Sequence, residues 1–262
     1  MSDGNSPRAA SDWREAHPVW IIGHRGAPRR ARENTIESFD WAETLGADAV
    51  ELDVRQTRDG EAVLFHDEDV SLGTQRVPVR SFTTREIQRL TLSSEQGDYA
   101  IPRLQDVFHR YGRSLRYVVE VKVSAGTDRG VMARRIAGLA SEYGLIERVL
   151  AASFDAEFLK RMREVEPKLA TSYIFDHPVA LPESGRLTPL FPPVDGIAPA
   201  RDLATAALIA QAAAAGLSVH PWTINEPGEI ERFVASGVAS ITTDDPELAL
   251  GLRNMTTTDR AH

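Results

Sequence analysis

The chain has 262 residues, 42% of them hydrophobic and 26% charged, enough to bury one large core and too apolar for a disordered body. Its net charge of −8 gives no global attraction to nucleic acid or to an anionic membrane. With no cysteine, it has no disulfide, no thiolate metal site and no cysteine nucleophile.

Residues 1–17 are polar and lack the apolar core of a signal peptide, and no apolar run approaches the ~20 residues that span a bilayer. They read as a flexible N-terminal arm on a cytoplasmic protein. From there strand and helix signals alternate. Strands are predicted over 19–23, 47–54, 116–123, 149–153, 169–174, 194–198, 217–223 and 240–242. Helices are predicted over 34–45, 129–143, 155–165, 202–215, 226–236 and 245–252. The first carries Asn34 with Glu37 three residues on, the pattern of a capping box, and Gly46 as its stop. Pro178, Pro182 and Pro192 disfavour a helix after the fifth strand.

This alternation implies an α/β fold, a (β/α)8 TIM barrel over residues 18–253 with a flexible tail over 254–262; an open doubly wound sheet is the alternative. The connection after the second strand is long. It holds a turn at Asp59-Gly60, an added strand over 62–66 and helices over 84–90 and 104–111. In a barrel, such an insertion overhangs the C-terminal face, where active sites sit.

Chemistry concentrates at strand ends. In the second strand Glu51 and Asp53 share one face while Val50, Leu52 and Val54 share the other. Same-face neighbours lie ~6.6 Å apart, so both carboxylates can converge on one hard cation. The third strand repeats the pattern: Glu120 and Lys122 face one way, Val119, Val121 and Val123 the other. Charged residues set between valines are costly in a dry core. The first strand ends in Gly23-His24-Arg25-Gly26, where glycines permit a sharp turn, His24 offers acid/base chemistry and Arg25 a planar fork for phosphate. His66-Asp67 ends the added strand. His17, His109, His177 and His220 lack acidic strand neighbours and read as surface or satisfied core residues, with His220 sharing a strand face with Trp222. Trp13, Trp20 and Trp41 read as arm or core aromatics, and no Walker or Rossmann glycine pattern is present.

Taken in order, His24-Arg25-Gly26, Glu33-Asn34-Thr35, Gly46-Ala47-Asp48 leading into Glu51-Leu52-Asp53-Val54, Thr57-Arg58-Asp59-Gly60, Val63-Leu64-Phe65-His66-Asp67, Ile101-Pro102-Arg103-Leu104, Glu120-Val121-Lys122, Ser153-Phe154, Trp222-Thr223-Ile224-Asn225 and Thr243-Asp244-Asp245-Pro246 resemble the hallmarks of the glycerophosphodiester phosphodiesterase family. The resemblance covers nearly the whole chain. It implies a TIM barrel that hydrolyses glycerophosphodiesters to glycerol 3-phosphate and an alcohol. It further implies Glu51, Asp53 and Glu120 as ligands of one divalent cation (Mg²⁺ or Ca²⁺), His24 and His66 as the catalytic acid/base pair, Arg25 and Lys122 on the phosphate, and Trp222 at the substrate pocket. The expected partner is a small-molecule phosphodiester, not nucleic acid. The alternatives are a lysophospholipase D-type hydrolase and an inactive phosphodiester-binding barrel. The chain departs from the family at Arg32, where proline is usual, and at Val238-Ala239-Ser240, where Val-Asp-Gly is usual.

Overall fold

The computed structural model describes Trp13, residues 18–179 and residues 191–259. Its elements in chain order begin with β1 (Trp20–Gly23), α1 (Ile36–Leu45) and β2 (Ala49–Gln56). The insertion follows, with β3 (Ala62–Leu64), β4 (Asp69–Leu72), β5 (Gln75–Pro78), α2 (Thr84–Ile87), β6 (Leu92–Ser94), β7 (Gly97–Tyr99) and α3 (Leu104–Tyr111). The barrel resumes with β8 (Tyr117–Val121), α4 (Arg129–Glu142), β9 (Val149–Ser153), α5 (Ala156–Val165), β10 (Ala170–Phe175), β11 (Gly196–Pro199), α6 (Ala206–Ala214), β12 (Ser218–Val219), α7 (Pro227–Val234), β13 (Ser240–Thr243) and α8 (Pro246–Asp259).

The parallel strands neighbour one another in the order β12, β11, β10, β9, β8, β2, β1, β13. The two ends of that order meet: Ala239 N donates to Val219 O at 3.0 Å, and Thr242 N to Pro221 O at 3.1 Å. The sheet therefore curls into a (β/α)8 barrel rather than an open doubly wound sheet. Ile22, Ala49, Val118, Leu150, Ala152 and Ile174 pack inside it. Facing outward, Val50, Leu52, Val54 and Val119 pack under Phe39, Phe108, Ile136 and Phe158 of the helices. Each fully buried side chain of this kind contributes ~1.5–3 kcal/mol.

Trp13 is fully buried, with its ring 5.1 Å from Trp20 and 6.2 Å from His220. It closes the end of the barrel where β1 and β13 begin, so it is a core residue; the rest of the expected arm lies outside the described residues. Trp41 is neither arm nor core: it is 38% exposed, under the Arg30 guanidinium.

Helix starts follow short polar caps. Asp128 Oδ1 accepts from Val131 N at 2.9 Å, Asp155 Oδ1 from Phe158 N at 2.7 Å and Thr205 Oγ1 from Leu208 N at 3.2 Å. Each cap contributes ~1 kcal/mol. The Thr205 cap moves the start of α6 to Ala206, later than the sequence implies, and leaves Arg201–Leu203 as a separate 3-10 turn. Residues 254–259, expected in a flexible tail, continue α8. Arg253 anchors that helix by donating to Val19 O at 3.1 Å and pairing with Asp48. Much of the proline-containing stretch after β10, where a helix is disfavoured, falls on residues 180–190, outside the described residues.

The insertion holds two hairpins that its polar composition conceals, β4–β5 and β6–β7. Val63, Phe65, Val70, Val79, Ile87 and Leu92 give it a small core of its own. β3 pairs antiparallel with β2 (Val54↔Leu64, Arg55↔Val63) and ends at Leu64, so His66 stands beyond the strand, on the loop. No helix among the described residues is long and apolar enough to cross a membrane.

Candidate active site

The turn after β1 is built for close approach. A Cβ on Gly23 would lie 2.1 Å from Gly26 O, and one on Gly26 (φ 97°) would lie 2.4 Å from Ser38 Oγ, so neither position admits a side chain. Two non-glycine residues, Arg25 (φ 54°) and Asn34 (φ 56°), are held in the left-handed region, at ~1–2 kcal/mol each. Asn34 N donates to Arg25 O at 3.0 Å, tying the two together. Asn34 does not cap α1; Thr35 does, with Oγ1 accepting from Ser38 N at 3.2 Å. The side chain of Asn34 instead turns to Asp53, donating through Nδ2 to Oδ2 at 2.8 Å and accepting from the Asp53 backbone N–H at 3.1 Å.

Glu51, Asp53 and Glu120 are all buried, and one ligand oxygen from each lies within 4.8 Å of the others. The register that sets Asp53 beside Glu120 across β2 and β8 brings them together. Two cations border them. Arg25 Nε is 3.0 Å from Asp53 Oδ2, and Nη1 reaches Glu33 Oε2 at 2.9 Å. Lys122 Nζ is 3.1 Å from Asp53 Oδ1 and 2.5 Å from Glu120 Oε1.

Burial pushes Glu51 well above the usual carboxylate range, and the neighbouring Asp53 and Glu120 add to the shift. Glu120 is raised by burial, with Lys122 offsetting part of it. Asp53 is held below the usual range, because Lys122 and Arg25 overcome the opposing effect of its burial. Glu51 Oε1 is buried and has no hydrogen-bond partner among the described residues. Three carboxylates against two fixed cations, with one buried oxygen unsatisfied, fit a hard divalent cation, which takes oxygen ligands.

His24 and His66 border this cluster in different ways. His24 Nδ1 lies 2.6 Å from Asp244 Oδ1, whose other oxygen accepts from Asn225 Nδ2 at 2.6 Å. The backbone N–H of Asp244 in turn donates to Asn225 Oδ1 at 2.9 Å. That pairing leaves Nε2 facing the carboxylates, 3.9 Å from Glu51 Oε2. His66 sits higher, on the insertion, with a side chain 39% exposed and Nδ1 2.9 Å from Asp67 Oδ1. A positive charge there is felt at both Asp53 and Glu120.

The model of the glycerophosphoryl diester phosphodiesterase family matches residues 24–248. The chain belongs to that family. As a member it is a phosphoric diester hydrolase. It is 31% identical to a glycerophosphodiester phosphodiesterase of Caldanaerobacter subterraneus subsp. tengcongensis, over 88% of this chain and 96% of the relative. The fold superposes on a crystal structure from Silicibacter pomeroyi with a TM-score of 0.83 at 26% identity, covering 94% of this chain and 97% of that one. It also matches an Oleispira antarctica phosphodiesterase solved with the product sn-glycerol-3-phosphate, with a TM-score of 0.75 at 23% identity, covering 91% of this chain and 98% of that one.

The mouth of the phosphodiesterase barrel is walled on one side by aromatics. Trp222 is fixed by donating through Nε1 to Ala198 O at 3.0 Å, and its ring meets Phe154 edge-on at 5.9 Å. Phe154 is 40% exposed, and Lys122 Nζ lies 5.9 Å from its ring centre. A small pocket, lined by His24, Glu51, Glu120, Ala152, Trp222 and His220 among others, runs from the carboxylates down the barrel. His220 is a satisfied core residue that also lines this cavity. Its Nδ1 is 2.7 Å from Ser240 Oγ and its Nε2 is 2.8 Å from Ser218 Oγ, and burial lowers its pKa to about 4. Ser240, which departs from the usual family residue, is thus a hydrogen-bond partner of His220.

Every residue expected at the site lies at this end of the barrel. Asp244 and Asn225 carry part of its geometry and were not singled out from sequence. Both stand in hallmark motifs, Thr243-Asp244 and Trp222-Thr223-Ile224-Asn225, which was the available signal. His109 lies on α3 with its ring 6.1 Å from Tyr143, and His177 is exposed beside Asp176. His17 lies outside the described residues.

Proposed function

We propose that this enzyme hydrolyses glycerophosphodiesters to sn-glycerol 3-phosphate and an alcohol, with one divalent cation, Mg²⁺ or Ca²⁺, held by Glu51, Asp53 and Glu120. The observation that carries the reading is the convergence of these three buried carboxylates, with Glu51 Oε1 unsatisfied, beside two cations and His24. When bound, the ion supplies positive charge to a phosphoryl oxygen on which negative charge grows during displacement.

Arg25 and Lys122 stabilise the same charge from the protein side. Both are fixed by ion pairs to Asp53 and so need little reorganisation during the reaction. His24 and His66 form the acid/base pair. In each, Nδ1 is taken by an aspartate, leaving Nε2 to accept or release the proton. Such proton transfer contributes ~10²–10⁴-fold in rate per group. Trp222 lines the pocket that receives the substrate.

The product held by the Oleispira antarctica neighbour supports the choice of assay. Purified protein is incubated with glycerophosphocholine, in Mg²⁺, in Ca²⁺ and in chelator, and sn-glycerol 3-phosphate is measured. Release that needs the metal, and that is lost in His24→Ala and His66→Ala, is the expected result. Full activity in chelator removes the metal from the reaction. No release from folded protein with either metal overturns the glycerophosphodiester reading in favour of a lipid diester or a binding role.

A further inference from the structure

Arg55 has no place in the machinery described so far, although it continues the same-face series of Glu51 and Asp53 along β2. Its guanidinium does not join the carboxylates. It turns toward the insertion, where Nε donates to the backbone carbonyl of His66 at 2.9 Å and Nη2 donates to the same oxygen at 2.7 Å. Two donors of one rigid fork converge on one acceptor, which fixes that oxygen in direction as well as distance.

His66 needs such a hold. β3 ends at Leu64, and the last ladder contact beyond it is Phe65 N donating to Asp53 O at 3.1 Å. The next backbone anchor is Val79 N donating to Glu68 O at 2.9 Å. Between them, the His66 carbonyl accepts no backbone hydrogen bond among the described residues. The imidazole itself leans on Asp67, its chain neighbour, which is 63% exposed. The contrast with His24 is direct. That ring is oriented by Asp244, which lies in a distant part of the chain and is itself pinned by Asn225.

We propose that Arg55 is the positioning residue for His66. By clamping the His66 carbonyl, it holds the start of an otherwise loosely tethered loop so that the imidazole stays over the carboxylate cluster. Arg55 need not touch substrate to do this. Misplacement of a reacting group by ~1 Å costs about 100-fold in rate, so loss of the clamp is felt in turnover rather than in binding. The inference rests on the reading of His66 as one of the acid/base pair.

The test compares Arg55→Met, Arg55→Lys, His66→Ala and the double variant Arg55→Met/His66→Ala in the full chain with saturating metal. Arg55→Met is expected to lower kcat roughly 10- to 100-fold with KM within about threefold of wild type. Arg55→Lys, which keeps one donor in reach of the carbonyl, is expected to recover part of that loss. The double variant is expected to lose no more than His66→Ala alone, because Arg55 then has nothing left to position. In spectra of histidine-labelled protein, the His66 ring signal is expected to shift or broaden in Arg55→Met while that of His24 stays in place. Losses that multiply in the double variant, a wild-type kcat in Arg55→Met, or an unmoved His66 signal each overturn the proposal. Near-normal kcat in His66→Ala is the separate result that defeats the acid/base reading itself.

Discussion

Asp244 Oδ1 lies 2.6 Å from His24 Nδ1, across a seam that joins the first strand of the barrel to the last. The parallel register sets Gly23 beside Thr243, so the first residue beyond each strand, His24 and Asp244, emerges at the same height. A carboxylate that accepts from Nδ1–H fixes the tautomer in which Nε2 carries the lone pair.

Asp244→Asn is therefore expected to lower kcat by about 100-fold or more while leaving metal affinity near wild type, because an amide can accept or donate and no longer enforces that tautomer. Steady-state kinetics and calorimetric metal titration decide it. A kcat within twofold of wild type means that the pair is only structural.

Glu51→Gln keeps the volume of the side chain and removes a charge that burial already disfavours. The folded apo protein is expected to be as stable as wild type or more so, because the group is the most strongly up-shifted of the three carboxylates. Divalent-cation affinity is expected to fall tenfold or more. Thermal melting with and without Mg²⁺ separates the two effects: the shift produced by metal should shrink while the metal-free Tm holds. A metal-free Tm well below wild type contradicts the assignment of Glu51 as a ligand with a surplus charge.

Asn34 combines a left-handed backbone with two hydrogen bonds to Asp53. Asn34→Gly removes the bonds but suits the backbone; Asn34→Ala removes the bonds and keeps the strain. We expect both to weaken metal binding alike, and Asn34→Ala to be less stable than Asn34→Gly by about 1 kcal/mol. Chemical denaturation of the pair measures the difference, and equal stability rules out a strained backbone at this position.

His220 supplies a pH signature. Buried between Ser218 and Ser240, it has a folded-state pKa of about 4, below its ordinary value of 6.5. Below pH 6.5 the unfolded chain binds a proton that the folded chain refuses, so stability falls as pH drops and goes on falling to about pH 4. The full effect is roughly 3 kcal/mol. His220→Gln abolishes this slope while other groups still titrate. Urea midpoints for both proteins between pH 7 and pH 4.5 should converge as the pH falls; parallel curves would show that His220 titrates normally.

The sequence by itself determined what is local. Strand periodicity put Glu51 with Asp53, and Glu120 with Lys122, on shared faces, because side chains alternate whatever the strand later pairs with. It determined the α/β layering too, since apolar strands alternating with amphipathic helices must be covered on both faces, but it left a barrel and an open sheet both possible, and only the hydrogen bonds joining the two ends of the sheet chose the barrel. Where two readings satisfied the same local rule, only the tertiary structure chose. Asn34 and Thr35 are both competent helix caps, and Asp53, distant in sequence, drew Asn34 away and left the cap to Thr35.

The orientation of His24 by Asp244 and the clamp of Arg55 on His66 likewise had no local trace. The first pair is separated by 220 positions in the chain and meets only because the barrel closes; the second meets only because β3 folds back on β2. A hydrogen bond depends on direction and on tenths of an ångström, and those are set by the closure of the barrel and the folding back of the insertion, not by any short stretch of residues.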